Sequence, residues 1–159
     1  MQDITDVREQ INSHYGLYLD NLTQPDESTL VLLVSEARVN KEKIEEVKFN
    51  EGTEFEMSLS GRRIETDGSC KRYRITFDEI VAYQSVDESY LQWDDGEIFE
   101  GKLFREFSRS RFLKHASENI LPGHYEDMTG RKYRHFQIAC LNFIVDVLAP
   151  YRPEIVETH

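Results

Sequence analysis

The chain has 159 residues, which is the usual size of a single domain, so we predict one domain over residues 1–159. It carries 19 Lys and Arg residues against 30 Asp and Glu residues, a formal net charge of −11 at pH 7. Nucleic acids and anionic membranes favour proteins with clustered Lys and Arg, so this charge argues against both as partners and favours a basic protein. The alternative is that the acidity only keeps the protein soluble.

Two further features bear on location. No segment reaches the roughly 18 apolar residues that a membrane-spanning helix needs, and the opening residues MQDITD lack the basic start and apolar run of a secretory signal. We therefore expect a cytoplasmic protein. Its two cysteines are too few for a disulfide framework, and Cys140, in an apolar run, is expected to be buried and reduced.

The first 50 residues predict a helix, a loop and a buried strand. Apolar residues at helical spacing predict a helix over about 4–15, which Gly16 ends. They are Ile4, Val7, Ile11 and Tyr15. Residues 25–28 are predicted to form a loop, and 29–35 are short, apolar and rich in branched side chains, which favours a buried strand. The polar residues 40–46 are predicted to be a surface connection with room for one helical turn.

A period of two residues predicts strands in the middle of the chain. The apolar positions of two such strands are Phe55, Met57 and Leu59, then Tyr73, Ile75 and Phe77. Asp67-Gly68 lies between residues 63–65 and 71–77 and is a strong hairpin signal. Residues 80–86 fit a strand or a helical turn, and a later strand is predicted around 98–107.

A second helix is predicted near residues 109–119, with Ser108 or Ser110 as its N-terminal cap and Pro122-Gly123 closing it. Its inward positions are Phe112, Leu113, Ala116 and Ile120. Arg109 and Arg111 in the first turn have the wrong sign for the helix dipole. We therefore expect them to pair with carboxylates elsewhere, such as those of residues 87–100.

Residues 133–149 fit two structures. Ile138, Leu141, Val145 and Leu148 have helical spacing, whereas alternation on either side of Leu141-Asn142 fits two strands. Branched and aromatic residues favour the hairpin. Pro150 and Pro153 are predicted to end regular structure.

Together these elements predict an α+β fold. We expect a curved, largely antiparallel sheet of about six to eight strands, barrel-like or half-barrel, with the N-terminal helix and one further helix packed on it.

Three blocks of sequence carry a resemblance that covers roughly the C-terminal half. They are residues 73–90 (YRITFDEIVAYQSVDESY), 104–113 (FREFSRSRFL) and 135–148 (HFQIACLNFIVDVL). The blocks resemble a family of small uncharacterised bacterial proteins, which implies a bacterial origin and a compact α+β domain and brings no catalytic residues. More loosely, the chain is similar to the small acidic immunity proteins that neutralise bacterial toxins.

An acidic, aromatic stretch suggests the function. Residues 75–101 contain eight carboxylates and five aromatic rings but no Lys or Arg. Charge steers the encounter with a basic protein and buried rings supply affinity, so we predict non-catalytic binding of such a partner. The most concrete form of this prediction is an immunity-type inhibitor of a basic toxin. We call residues 87–100 the acidic aromatic segment. Its predicted partner-binding residues are Asp87, Glu88, Tyr90, Trp93, Asp94, Asp95, Glu97 and Glu100.

Two alternatives stay open. One is a small-molecule or anion-binding pocket in which Arg105 or Arg134 holds an anion. The other is that the stretch pairs internally with the basic residues, with Trp93 in the core. Those basic residues are Arg105, Arg109, Arg111, Lys114, Arg131, Lys132 and Arg134.

Catalytic and metal patterns are weak. Asp94, Asp95 and Glu100-Gly-Lys102 have the residue types of a metal-dependent nuclease, but an acid-rich loop produces this pattern easily and would repel nucleic acid. His135 and Cys140 are five residues apart and would lie on opposite faces of one strand. No histidine has metal-ligand spacing. We therefore predict no catalytic residue, metal or cofactor.

Overall fold

The computed structural model describes residues 4–50 and 56–159, with side chains described at 7–39 and 64–159. Within these residues there are three α-helices, namely α1 (Ile4–Ser13), α2 (Arg111–Asn119) and α3 (Tyr125–Thr129). The strands are β1 (Gly16–Thr23), β2 (Leu30–Asn50), β3 (Glu56–Glu65), β4 (Arg72–Phe77), β5 (Ala82–Asp87), β6 (Ile98–Glu100), β7 (Phe104–Arg109), β8 (Arg134–Ala139), β9 (Phe143–Ala149) and β10 (Glu154–Thr158).

The first sheet is antiparallel and has the strand order β1-β2-β4-β10, with β3 also paired to β2. The early part of β2 lies between β1 and β4, and it is the strand that residues 29–35 predicted. Its later part, from Arg38 onward, pairs with β3. Leu30, Leu32 and Val34 are fully buried, so the period of two places one face of β2 in the core.

The second sheet is also antiparallel and has the order β5-β9-β8-β7-β6. Strands β8 and β9 form the hairpin predicted for residues 133–149, with Ile138 opposite Val145 and Phe136 opposite Val147. All four of these side chains are fully buried. The period of two prevails over helical spacing here because both strands are rich in branched and aromatic residues.

One hydrophobic core joins the two sheets and α1. Phe136 of the second sheet contacts Phe77 of the first, with ring centroids 5.6 Å apart. Val7 and Ile11 of α1 belong to the same buried cluster. Tyr15, predicted on the same helical face, is exposed because α1 ends at Ser13 and Gly16 begins β1.

The expected α+β class is confirmed, but the described residues form ten strands in two sheets and not six to eight strands in one, and a third helix, α3, is present. No pairing between described strands closes a barrel, so the barrel-like shape is not confirmed. The predicted hairpin at Asp67-Gly68 is wrong, because in the described ladders β3 and β4 pair with successive parts of β2 and not with each other. Phe55, placed in a strand from the sequence, lies outside the described residues.

Three further predictions about local structure are corrected. Residues 40–46 are part of β2 and not a surface connection, because pairing with β3 extends the strand to Asn50. Pro153 does not end regular structure, since β10 follows it and pairs with β4. The strand predicted around 98–107 is a pair, β6 and β7, separated by a turn at Gly101.

The turn at Gly101 explains that division. Gly101 has φ of +96°, which favours glycine. Asn12 of α1 holds the turn, because its Oδ1 accepts hydrogen bonds from the backbone N–H groups of Lys102, Leu103 and Phe104 at 2.9, 2.8 and 2.9 Å. The N-terminal helix therefore fixes the direction in which β7 leaves the turn.

We expect Gly101→Ala to lower the free energy of unfolding by about 2 kcal/mol or more. A Cβ at this position would lie 2.0 Å from the backbone oxygen of Phe104, in addition to the strain of the positive φ. Gly68→Ala is the control, because a Cβ there has nothing within 4 Å. Urea denaturation of the two variants tests this, and equal midpoints would contradict the role of the turn.

A buried polar cluster lies at the end of α1. His14 is 9% exposed, and its Nε2 is 2.6 Å from the Tyr73 hydroxyl, while its Nδ1 is 3.3 Å from Glu36 Oε1. Burial lowers the pKa of His14 below the ordinary 6.5, and it outweighs the opposing effect of Glu36. Folded protein therefore keeps His14 neutral at pH values where the unfolded chain is protonated.

This linkage predicts that stability falls on mild acidification. Below pH 6.5 His14 takes up a proton in the unfolded state but not in the folded state. The contribution of His14 to the free energy of unfolding is therefore complete above pH 6.5 and is lost as the pH falls towards the lowered pKa of the folded state. We expect His14→Gln to flatten the dependence of the melting temperature on pH between 7 and 5. His124→Gln, at an exposed position, should leave it unchanged, and equal slopes in both variants would refute the assignment.

Candidate functional site

A row of polar side chains crosses the face of the second sheet that points away from the core. Gln84 of β5 is in register with Asp146 of β9, Asp146 with Gln137 of β8, and Gln137 with Arg105 of β7. Neighbouring residues such as Val145 and Ile138 point into the core, so strand alternation places the polar row on the opposite face.

Hydrogen bonds join the members of this row. Asp146 Oδ2 accepts from Gln84 Nε2 at 2.9 Å, and its Oδ1 accepts from Gln137 Nε2 at 2.9 Å. Gln137 Oε1 in turn accepts from Arg105 Nη1 at 3.0 Å. The row is therefore a continuous chain of polar contacts across four strands.

Asp146 is the centre of the network. It is 3% exposed and also accepts a hydrogen bond from His135 Nε2 at 2.7 Å. Burial tends to raise its pKa, but the hydrogen bonds from His135, Gln84 and Gln137 outweigh this, and the pKa lies below the ordinary 3.8. Asp146 is thus a buried carboxylate that stays ionised at neutral pH.

His135 connects the row to α2. It is 2% exposed, stacks on Phe107 with ring centroids 4.3 Å apart, and lies 4.9 Å from the ring of Phe112. Its Nδ1 is 2.7 Å from the hydroxyl of Ser110, the residue that caps α2 by accepting a hydrogen bond from the backbone N–H of Leu113. Of the two sequence-predicted caps, Ser108 and Ser110, the structure selects Ser110.

Ser110, His135 and Asp146 have the residue types of a hydrolase triad, but the serine is in the wrong place for a nucleophile. Ser110 is 6% exposed and is absent from the wall of the cavity that His135 and Asp146 line. Its hydroxyl oxygen already accepts from the Leu113 N–H group. The arrangement therefore anchors the start of α2 to the sheet.

A cavity of about 400 Å³ opens over this polar floor. Its floor is formed by the second sheet, one wall by α2, and its roof by the acidic aromatic segment. The lining residues are Gln84, Leu91, Gln92, Trp93, Glu97, Arg111, Phe112, His115, His135, Gln137 and Asp146. This volume is within the usual range for small-molecule sites.

Arg111 links α2 to the acidic aromatic segment, which forms the roof of the cavity. Its Nε is 3.5 Å from Asp94 Oδ2 and 3.9 Å from Glu97 Oε1, and its side chain also donates to the backbone oxygen of Gln92. Glu97 Oε1 accepts from the backbone N–H of Arg111 at 3.0 Å. The predicted pairing of this arginine with the segment is confirmed, and Asp94 and Glu97 are accordingly engaged within the chain.

The aromatic residues of the segment are exposed. Tyr90 is 81% exposed, Trp93 59% and Phe99 40%, so Trp93 is not a core residue. The guanidinium carbon of Arg105 lies 5.1 Å from the ring centre of Trp93 and 4.7 Å from that of Phe99. Arg105 thus supports both rings from beneath by cation–π contacts.

The remaining predicted carboxylates differ in their surroundings. Asp87 ends β5 and accepts from the backbone N–H of Ser89 at 3.0 Å, which caps a short 3₁₀ turn. Glu88, Asp95 and Glu100 are exposed, and none of them has an ion pair within the described residues. These three carry the negative charge of the segment that no described ion pair neutralises.

The two arginines of the anion-binding alternative bind different partners. Arg105 donates to Gln137 and, through Nε, to the backbone oxygen of Lys102 at 2.8 Å. Arg134 is exposed and pairs with Glu106 at 3.3 Å, on the side of the sheet where Glu106 also meets Arg8 of α1. The structure does not bring them together.

Two residues of the nuclease pattern, Lys102 and Asp94, are engaged elsewhere. Lys102 Nζ donates to the backbone oxygen of His14 at 2.6 Å, and Asp94 binds Arg111. Across the described part of the chain, no group of three His, Cys, Asp or Glu side chains is placed to hold a metal ion. Cys140 is 2% exposed and burial raises its pKa to about 12, so its thiol is protonated at neutral pH.

The central residues of the site were not predicted as functional. His135, Gln137 and Asp146 occupy outward positions of the β8–β9 hairpin, whose other face is apolar except for Arg134 at the start of β8. His135 and Gln137 at a spacing of two, followed by Asp146 in the next apolar strand, are the sequence signal that could have identified the polar floor. Gln84 has no such signal, because it becomes part of the row only through pairing with β9.

Comparison with protein-family models, curated proteins and solved structures finds no match. In the described residues no helix has the length and apolar character needed to cross a bilayer.

We expect Asp146→Asn to lower the free energy of unfolding by about 1–3 kcal/mol, because an amide directs N–H groups at the donors of Gln84 or Gln137 and leaves a buried group unsatisfied. Asp95→Asn, the same change at an exposed position without an ion pair, should stay within about 0.5 kcal/mol. Chemical denaturation of both variants measures the difference. Similar values for the two would show that Asp146 does not organise the network.

Proposed function

We propose that the chain is a non-catalytic binding protein whose acidic aromatic segment recognises a basic protein partner. One observation carries the proposal: Tyr90, Trp93 and Phe99 are exposed in the same segment as Glu88 and Asp95, which have no ion pair in the described structure. Large exposed rings are unfavourable in water and become favourable when a partner buries them, and unpaired carboxylates beside them attract a basic partner.

The two kinds of group have different roles. Aromatic side chains supply most of the affinity when a partner buries them, and they lose little conformational freedom on binding. Carboxylates on the rim attract a basic partner and orient it during the encounter. Arg105 already supports the rings of Trp93 and Phe99, so this part of the surface is organised before a partner arrives.

An immunity-type inhibitor of a basic toxin is the most specific form of this proposal. The net charge of −11, the size of 159 residues and the exposed segment support it, together with the loose similarity to acidic immunity proteins. A bacterial, cytoplasmic protein would meet such a toxin before it reaches its target.

A small-molecule pocket is the second candidate. The cavity of about 400 Å³ beneath the segment favours it, because its floor carries buried polar groups and its walls carry aromatic rings. The two candidates use adjoining surfaces, since Trp93 both lines the cavity and is exposed at the surface.

Charge reversal tests the proposal. We expect the triple variant Glu88→Lys, Asp95→Lys and Glu100→Lys to slow association with the basic protein that the wild-type chain captures by about tenfold or more, because like charge then opposes the encounter. The wild-type rate should fall as salt rises, since charges are screened over about 8 Å at physiological ionic strength. Surface plasmon resonance at low and high salt measures both effects.

The control reverses three exposed carboxylates elsewhere, Glu27, Glu118 and Glu154, and changes the net charge equally. Both variants should keep the wild-type melting temperature, because neither set includes Asp94 or Glu97, which bind Arg111. Equal association rates for the two variants would mean that only net charge matters and that the segment is not the interface.

A further inference from the structure

We propose that the cavity over Asp146 is a recognition site for an ammonium or guanidinium group. This goes beyond the proposed protein interface, because the site is a concave chamber with its own polar floor and takes a single cationic group. The shared chemistry is that of a small organic cation and of a Lys or Arg side chain.

The first argument is the balance of hydrogen-bond donors and acceptors on the floor. Asp146 Oδ1 accepts from His135 and Gln137, whereas Oδ2 accepts only from Gln84 within the described structure. A carboxylate has about four acceptor positions, so Oδ2 retains one. Gln84 Oε1 also receives no hydrogen bond from a described group, and Glu97 Oε2 likewise accepts none. These open acceptors favour a ligand that brings N–H donors.

The second argument is charge. Asp146 and Glu97 line the cavity against one guanidinium, Arg111, which is already bound to Asp94, Glu97 and the backbone of Gln92. Arg105, the other nearby cation, is absent from the lining and is separated from Asp146 by Gln137. The open part of the cavity thus faces negative charge, which excludes an anion and favours a cation.

The third argument is the nature of the walls. Trp93, Phe112 and Leu91 provide apolar surface around the polar floor. Such walls suit the methylene chain that carries an ammonium or guanidinium group, and aromatic faces attract cations directly. Volume, walls and floor together define a ligand with a positively charged, donor-rich end and a short aliphatic stem.

Titration with butylguanidinium and butylammonium tests the assignment, with butylurea as the neutral control of similar shape. Trp93 is the only tryptophan of the chain, so its fluorescence reports on the cavity directly, and calorimetry gives the stoichiometry. We expect both cations to bind at one site and at least tenfold more tightly than butylurea. Equal binding of butylurea, or no saturable binding of either cation at millimolar concentration, overturns the proposal.

Variants locate the site. Asp146→Asn should weaken cation binding at least tenfold, and Glu97→Gln, which keeps an oxygen for the Arg111 N–H group, should weaken it about threefold or more. Glu97→Gln decides the matter if the first variant does not fold. If each folded single variant binds the cation as tightly as wild type, the cation binds elsewhere and the proposal is refuted.

Two further measurements are needed. The first distinguishes a partner side chain from a free small molecule as the source of the cation, and the second distinguishes cation binding from the proposed protein interface. A blocked Gly-Arg-Gly peptide that binds more tightly than butylguanidinium would identify a partner side chain as the occupant, and weaker binding would identify a free small molecule. The triple reversal of Glu88, Asp95 and Glu100 should bind butylguanidinium within about threefold of wild type. Failure of the protein interface with retained cation binding would therefore leave this inference standing.

Discussion

The hydrogen bond of 2.7 Å between Asp146 and His135 is the contact on which the outer half of the molecule depends. It lies on the second sheet, on the face opposite the core, and connects the polar row to Ser110 at the start of α2. A carboxylate that is 3% exposed is costly unless it is fully hydrogen-bonded, and here three side chains donate to it. These hydrogen bonds thus stabilise the polar face of the second sheet, which forms the floor of the cavity.

The position of the roof follows from the same network. Ser110 fixes the first turn of α2, and Arg111, the next residue, holds Asp94 and Glu97 of the acidic aromatic segment. Arg105, at the end of the polar row, supports Trp93 and Phe99. A segment that lacks regular structure between residues 91 and 97 is in this way given a defined position, and its rings are exposed to solvent instead of packing onto the sheet.

Local patterns in the sequence predicted those parts of the fold that local interactions decide. Alternation of apolar residues about Asn142 identified the β8–β9 hairpin, and the unfavourable position of Arg111 in a helix dipole indicated its pairing with the segment. The patterns failed where distant pairing decides. Residues 40–46 are mostly polar yet belong to β2, because pairing with β3 at Val39 and again from Ile44 onward extends that strand. Asp67-Gly68 has the residue types of a hairpin turn, although β2 is the partner of the strands on both sides of it. The polar row was missed for the same reason, because Gln84 and Asp146 meet only through strand register.

The ionisation of Asp146 is the most direct test of this account, and the ¹³C chemical shift of its carboxyl carbon followed by NMR from pH 8 downward measures it. The account predicts a single transition with a midpoint below the ordinary pKa of 3.8, because hydrogen bonds from His135, Gln84 and Gln137 hold the carboxylate ionised against the effect of burial. A midpoint above 3.8 would mean that the effect of burial on the pKa of Asp146 outweighs its hydrogen bonds. In that case neither the anchoring of α2 nor the preference of the cavity for a cation would follow from the network.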